Sequence, residues 1–130
     1  MGFNNVMKAT KNTKIIITGG AGYIGNTLIK ALPKHYQIIV IDNFHIATKD
    51  KSVINKSLEK SKNVTIIKAN VKDVIKYKKY LNDTEIVIYL ASLNSYKDSN
   101  ENPLNYITEN NINLQIFLSA LKSESKKVRK

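Results

Sequence analysis

Short runs of β-branched apolar residues alternate along this chain with longer segments in which apolar residues recur every three or four positions. Runs of roughly four to eight apolar residues are typical of strands, and the wider spacing is typical of helices. The runs predict four strands, at residues 14–18, 37–41, 64–68 and 85–90. The spacing between them predicts helices over residues 22–32, about 50–60, 73–81 and 103–121. Residues 1–13 lack either pattern, so we expect a loose leader before a single domain over residues 14–130.

Strands that alternate with helices predict an α/β fold with a parallel sheet and right-handed crossovers. We therefore expect a half-size Rossmann-like sheet in the order 3-2-1-4, with helices on both faces. The strand at 85–90 is a continuous apolar run, as in a strand covered on both faces. Asp73 and Asn102 are expected to cap the helices that follow them, and residues 92–102 are expected to form a loop.

The apolar positions also predict which helix faces are buried. In the first helix these positions are Ile24, Leu28, Ile29 and Leu32. In the last helix they form one stripe, Leu104, Ile107, Leu114, Phe117, Leu118 and Leu121. Both faces are expected to pack against the sheet.

A glycine-rich turn, Gly19–Gly25, separates the first strand from the first helix. Glycines at this point allow the backbone to approach a pyrophosphate, which the free N–H groups of the helix then bind. The second apolar run ends in Asp42, about 20 residues further on, where a carboxylate can bind an adenosine ribose. Together these features predict a dinucleotide site, with NAD as the expected cofactor.

The glycines allow two other interpretations. A tight strand–helix turn without a ligand would use the same residue type. A P-loop has the spacing of residues 20–27, but Asn26 stands where a lysine must reach the terminal phosphates, so ATP or GTP hydrolysis is not expected.

Composition adds few constraints. The formal charge is +11 over 130 residues, and every basic residue except Arg129 is lysine. Lysines around Lys72–Tyr80 are interpreted as a solvated helix face, with an anion-binding patch as the alternative. The chain has no cysteine, hence no disulfide or cysteine metal site, and no apolar run long enough for a membrane span. We expect a cytoplasmic protein with no metal site.

The segments Thr18–Gly25 (TGGAGYIG) and Ile41–Asn43 (IDN) resemble the cofactor-binding motifs of the extended short-chain dehydrogenases/reductases. Within that family the chain is most similar to NAD-dependent sugar-nucleotide epimerases and dehydratases of the UDP-glucose 4-epimerase type. Val87–Ser92 and Asn102–Asn110 add to the resemblance, which extends from Lys14 to about Lys130. It implies NAD as the cofactor and, in an intact relative, a nucleotide-sugar as the substrate.

The resemblance also implies a role for individual residues on the phosphate and ribose side. Asp42, with Asn43 beside it, would bind the adenosine ribose and disfavour the 2′-phosphate of NADP. The residues implied to bind the pyrophosphate are Gly19, Gly22, Tyr23, Ile24 and Gly25.

Further residues are implied to contact the two ends of the cofactor. Asn70 and Val71 would lie beside the adenine, where relatives have Asp before Ile or Leu, and the Asn70 carbonyl is expected to remain an acceptor. Asn110 would tie down backbone near the active site. On the nicotinamide side the implied residues are Leu90, Ala91 and Ser92.

The family's catalytic pair is not found in this sequence. Its chemistry needs a tyrosine base with a lysine four residues later, and none of the seven tyrosines has one. No catalytic residue is therefore assigned. The chain ends where relatives enter their fifth strand, so we expect the cofactor-binding part of an epimerase without its catalytic half.

Several functions remain open at this point. The first is the NAD-binding part of a sugar-nucleotide 4-epimerase, with a 4,6-dehydratase as its alternative. The others are a non-catalytic NAD-binding or partner-binding module, and a basic protein associated with nucleic acid. We expect self-association through residues 85–90 or the face of the 103–121 helix. Replacing Asp42 is expected to weaken NAD binding with little effect on stability.

Overall fold

Four parallel strands organise the chain, in a computed structural model that describes residues 13–45, 56, 58–93 and 96–126. The strands are β1 (Lys14–Thr18), β2 (Gln37–Asp42), β3 (Val64–Lys68) and β4 (Ile86–Tyr89). They lie in the order β3-β2-β1-β4, all parallel, which confirms the predicted sheet. Their β-branched side chains suit a pleated surface that is packed on both faces.

The helices lie between and after these strands. They are α1 (Tyr23–Ala31), α2 (Val74–Leu81), α3 (Tyr96–Glu101), α4 (Pro103–Ile107) and α5 (Asn113–Glu124), with a π-helical turn at Thr108–Ile112 between the last two. The predicted loop at 92–102 was thus wrong in part, because residues 96–101 are helical. In the described part of the chain, no helix is both long and apolar enough to span a membrane.

Two predictions fall largely outside the described residues. The leader at 1–13 does so except for Thr13, which is buried. Of the helix expected around 50–60, the described residues Lys56, Leu58 and Glu59 are helical, and Leu58 is buried against the sheet.

The sheet separates two apolar clusters, which confirms that both of its faces are covered. Ile16, Ile39 and Ile41 point to the face that carries α2 and α5, where Tyr77 and Phe117 pack. The opposite face carries α1, and its cluster contains Ile15, Ile17, Ile29, Ile38, Val40 and Leu58. Burying side chains of this size stabilises the fold by about 1.5–3 kcal/mol each. Strand β4 is only half-buried, because it lies at one edge of the sheet.

The orientation of α1 differs from the prediction, since Ile24 is 67% exposed. Gly25 faces the β1–α1 turn instead, and a Cβ at Gly25 would lie 2.5 Å from the Cα of Gly20. Because successive helix residues point about 100° apart, the close approach at Gly25 turns Ile24 away from the sheet.

The predicted apolar stripe on the last helix was also only partly right. Asn113, Phe117 and Leu121 form its buried face, spaced four residues apart. Leu104 is 79% exposed, and Ile107 and Leu118 are also exposed.

Asp73 and Asn102 occupy the N-cap positions of α2 and α4 as predicted, but neither side chain makes a capping hydrogen bond. The Asp73 carboxylate lies 3.6 Å from the ammonium of Lys76 instead.

Candidate cofactor site

The carboxyl ends of the four strands surround one cleft of about 790 Å³. Ligands of open parallel sheets bind at this edge, where the chain leaves neighbouring strands in opposite directions. Of the residues predicted to contact the cofactor, all except Asn110 line the cleft. They are Gly19, Gly22, Tyr23, Ile24, Gly25, Asp42, Asn43, Asn70, Val71, Leu90, Ala91 and Ser92.

The glycine turn after β1 is held by close contacts within the protein. Gly19 has φ +71°, and a Cβ there would lie 2.7 Å from the backbone nitrogen of Ala91. Gly20 packs against Val40 and Gly25 packs against Gly20. Glycine is therefore required at these three positions by the fold itself.

Gly22 is different, because a Cβ at this position would meet only the carbonyl oxygen of Gly19, at 3.4 Å. Its backbone is extended, with φ −72° and ψ 177°, which any residue can adopt. A glycine here therefore leaves open space above the turn, on the side of the cleft. This is the room that a closely approaching diphosphate needs.

Helix α1 begins beside that space with backbone N–H groups that have no hydrogen-bond acceptor in the described part of the chain. Gly22 is its N-cap residue and supplies no side-chain cap, and the first turn has no acidic residue. The N–H groups of Tyr23 and Ile24 belong to the first turn, which has no intrahelical acceptors, and the helix dipole adds positive charge. Together they form an anion-binding end that fits a phosphate group.

Asp42 connects the turn to the loop after β2. Its Oδ2 accepts a hydrogen bond from the N–H of Ala21 at 2.9 Å, and its Oδ1 accepts one from the N–H of Phe44 at 2.7 Å. Phe44 has φ +58°, which this Asx turn supports. A carboxylate has about four acceptor sites, so ribose hydroxyls can still bind to it. Beside it, Asn43 accepts from the N–H of His45.

The Asn70 amide at the end of β3 is oriented by its neighbours. Its Oδ1 accepts from the backbone N–H of Lys72 at 3.0 Å and from Nδ2 of Asn113 at 3.3 Å. Because a backbone N–H can only donate, the oxygen must face Lys72, and the NH₂ group faces Glu109, 3.3 Å from its Oε2. The Asn70 carbonyl is an acceptor, as expected, but both of the hydrogen bonds that it accepts here come from the protein itself.

Glu109 and Asn110 lie side by side in the π-helical turn, a feature found frequently at functional sites. Asn110 binds both the N–H and the carbonyl of Leu93, at 2.7 and 2.9 Å, and so ties down backbone as expected. Glu109 lines the cleft and accepts from Asn70 and Asn113. Sequence reasoning missed Glu109, since no motif marks it.

A buried hydroxyl also lies at the wall of the cleft. The hydroxyl of Tyr89 has no hydrogen-bond partner among the described residues. Burial, and then the negative charge of Glu109, raise the pKa of Tyr89 to about 12. A buried hydroxyl that lacks a partner lowers the stability of the fold.

The segment Lys72–Tyr80, considered above as an anion-binding patch, lies outside the set of residues that line the cleft. Tyr77 is buried, and its hydroxyl donates to the Val71 carbonyl, so it cannot stack on a base. Burial also raises the pKa of Tyr77. Lys76 and Lys78 are exposed and pair with Asp73 and Glu124, as in a solvated helix face.

Within the described ranges, no group of three His, Cys, Asp or Glu side chains could hold a metal.

A parallel sheet with a glycine turn after its first strand and an aspartate after its second defines a dinucleotide-binding domain of the Rossmann type. Residues 15–129 match the NAD dependent epimerase/dehydratase family. The chain belongs to that family.

Similar proteins are sugar-nucleotide enzymes. The chain is 32% identical over 107 residues to UDP-glucose 4-epimerase from Mus musculus, covering 75% of this chain and 30% of that protein. UDP-glucuronic acid 4-epimerase from Bacillus cereus, in complex with UDP-glucuronic acid and NAD, is 29% identical. That match has a TM-score of 0.75 and covers 88% of this chain and 38% of the other.

UDP-N-acetylglucosamine 4-epimerase from Methanobrevibacter ruminantium is also 29% identical, with a TM-score of 0.73 over 88% of this chain and 36% of the other. This chain thus spans about a third of the length of these three relatives.

Proposed function

We propose that this chain binds NAD in the cleft at the carboxyl ends of its strands. The observation that carries the proposal is the open space above Gly22, which no atom of the described residues fills and which a diphosphate would occupy. The first turn of α1 would donate to that diphosphate, and Asp42 would accept from the adenosine ribose. A 2′-phosphate would meet the negative charge of Asp42, so NAD is favoured over NADP.

We further propose that the chain is the cofactor-binding part of a sugar-nucleotide 4-epimerase. Family membership and the similarity to three 4-epimerases support this assignment. NAD in such an enzyme takes a hydride from a sugar carbon and returns it. The residues of this chain would bind and orient that cofactor, with Leu90, Ala91 and Ser92 on its nicotinamide side.

A second candidate is an NAD-binding module that does not itself catalyse the reaction. It is favoured by the sequence, in which no tyrosine is followed by a lysine four residues later. We expect the 130-residue chain with NAD and UDP-glucose to form no UDP-galactose. Formation of UDP-galactose would exclude this second candidate.

Two glycine variants test the NAD site. Gly22→Ala should leave the apo-protein within about 1 kcal/mol of wild type, since its φ suits alanine. It should weaken NAD binding at least about tenfold, because the new methyl group enters the diphosphate space. Gly25→Ala is the control for a glycine that the fold requires, and it should unfold the protein, since its Cβ would collide with Gly20.

Binding itself is measured by thermal unfolding with increasing NAD. A ligand at 100 times its Kd stabilises the folded state by about 2.7 kcal/mol, which raises Tm by several degrees. Wild type should show this rise, and Gly22→Ala should show at most about half of it, since a tenfold higher Kd leaves about 1.4 kcal/mol at the same NAD concentration. No shift of wild type at millimolar NAD, or equal shifts for both proteins, would contradict the proposal.

Self-association is proposed through exposed apolar side chains of the helical segment after β4. These side chains are Leu104, Ile107, Ile112, Ile116 and Leu118. Exposed large apolar side chains are the groups that a second copy of a chain can bury. We expect wild type to sediment as a dimer or larger species and Leu104→Lys/Leu118→Lys as a monomer. Ile75→Lys, which replaces an exposed isoleucine on α2, is the control and should sediment like wild type.

A further inference from the structure

Glu109 presents a carboxylate to the cleft. It lines the cleft, and among the described residues no lysine, arginine or histidine forms an ion pair with it. Both of its hydrogen bonds, from Asn70 at 3.3 Å and Asn113 at 2.9 Å, end on Oε2. Oε1 makes none within the described part of the chain, so it is the atom left to accept from a ligand.

The strand order decides which part of a dinucleotide would reach Glu109. The glycine turn follows β1, Asp42 ends β2, and Asn70 follows β3, in that spatial order. The end of β3 is bonded to the end of β2 through the N–H of Ala69 and the carbonyl of Asp42, at 3.0 Å. A dinucleotide with its diphosphate at β1 and its ribose at Asp42 therefore extends its base toward Asn70 and Glu109.

The hydrogen-bonding groups at this place suit an amino group on that base. The carbonyl of Asn70 is already occupied, and its NH₂ group is oriented toward Glu109. Asn70 and Asn113 therefore position the carboxylate rather than compete with it as acceptors. An exocyclic amino group is a donor, and donors to a carboxylate form the stronger class of hydrogen bonds.

We propose that Glu109 is the residue that selects adenine, by accepting a hydrogen bond from its exocyclic amino group. This inference rests on the proposed binding of NAD. The acidic group that binds the base then lies in the π-helical turn after β4, facing Asn70 at the end of β3. Asn70 and Asn113 are positioning residues in this arrangement.

The test compares NAD with nicotinamide hypoxanthine dinucleotide, in which a carbonyl replaces the amino group of the base. Dissociation constants are measured by calorimetry for the 130-residue chain and its variants. Wild type should bind NAD at least about tenfold more tightly, because the carbonyl would face the carboxylate of Glu109. In Glu109→Gln the ratio should fall to about one, since an amide can face either group.

Glu124→Gln is the matched control, because it makes the same change at the far end of the same helical segment. It should keep the wild-type ratio. Glu109→Asp, which retains the charge but shortens the side chain, should also lower the ratio, and it replaces Glu109→Gln if that variant does not fold.

The outcomes separate this inference from the proposed function. If wild type binds NAD but shows no preference, or if the Glu109 variants keep it, adenine selection by Glu109 is refuted while NAD binding stands. If wild type binds neither dinucleotide, the proposed function fails and the inference fails with it.

Discussion

Replacing Asp42 with alanine should destabilise the protein even when no ligand is present. The carboxylate accepts two backbone hydrogen bonds, from Ala21 at 2.9 Å and from Phe44 at 2.7 Å, and so connects the glycine turn to the loop after β2. Hydrogen bonds to charged groups contribute about 1.5–3 kcal/mol each. Ala21 is buried whereas Phe44 is only half-buried, so the Ala21 N–H is the more costly of the two to leave without its partner.

We therefore expect Asp42→Ala to lower the free energy of unfolding by about 3 kcal/mol, counting the Ala21 bond in full and the Phe44 bond in part. This is a large fraction of the roughly 5–15 kcal/mol typical of a domain. It also corrects the sequence-based expectation that Asp42 matters to the ligand alone.

The measurement is urea unfolding of the apo-protein, followed by far-UV circular dichroism. With a slope of about 2 kcal/mol per molar urea, the midpoint should fall by about 1.5 M. Asp73→Ala is the control, because Asp73 makes no capping bond and only a surface ion pair, worth at most about 0.5 kcal/mol. If the free energy of unfolding of Asp42→Ala lies within about 1 kcal/mol of the wild-type value, the Asp42 carboxylate does not stabilise the turn.

Two further substitutions test the polar groups of the cleft. Tyr89→Phe should raise the free energy of unfolding of the apo-protein by about 1 kcal/mol, since it removes a buried hydroxyl that has no partner in the described region. A lower free energy of unfolding, measured in urea, would mean that the hydroxyl forms a hydrogen bond. The pKa of Tyr89 is raised from 10.0 to about 12. Ionisation of Tyr89 should therefore leave the free energy of unfolding of wild type unchanged below pH 10 and lower it as the pH rises toward 12. Tm measured from pH 9 to 12 should fall less steeply in Tyr89→Phe. Asn70→Asp should cost about 2 kcal/mol at pH 7, because it replaces a donor 3.3 Å from Glu109 with a second carboxylate. Equal free energies of unfolding for Asn70→Asp and wild type at pH 7 would contradict the orientation of Asn70.

Local patterns in the sequence predicted most of the fold and the outline of the site. Apolar runs such as Ile15–Ile17 and Ile38–Ile41 form strands because their β-branched side chains suit a pleat covered on both faces. The glycines and Asp42 could be placed because the sterics of the turn and the end of a strand are properties of a few neighbouring residues. The predicted roles of the cleft residues in binding NAD remain predictions until the dinucleotide is titrated.

Contacts between distant segments decided the rest. Ile24 is exposed and Gly25 is buried because α1 approaches the backbone of Gly20 closely. The spacing of apolar residues along the sequence carries no information about that approach. Likewise, the apolar stripe of the last helix divided into a buried and an exposed part, since only α5 packs under α2 and the sheet.

The sequence by itself determined the alternation of strands and helices, the sheet order and the position of the dinucleotide turn. Only the tertiary structure decided what the polar groups of the cleft do. Asp42 reaches back 21 residues to Ala21, and Glu109 lies 39 residues from the Asn70 amide that faces it. Hydrogen bonds between such groups depend on where folded segments meet, so no local pattern in the chain could encode them.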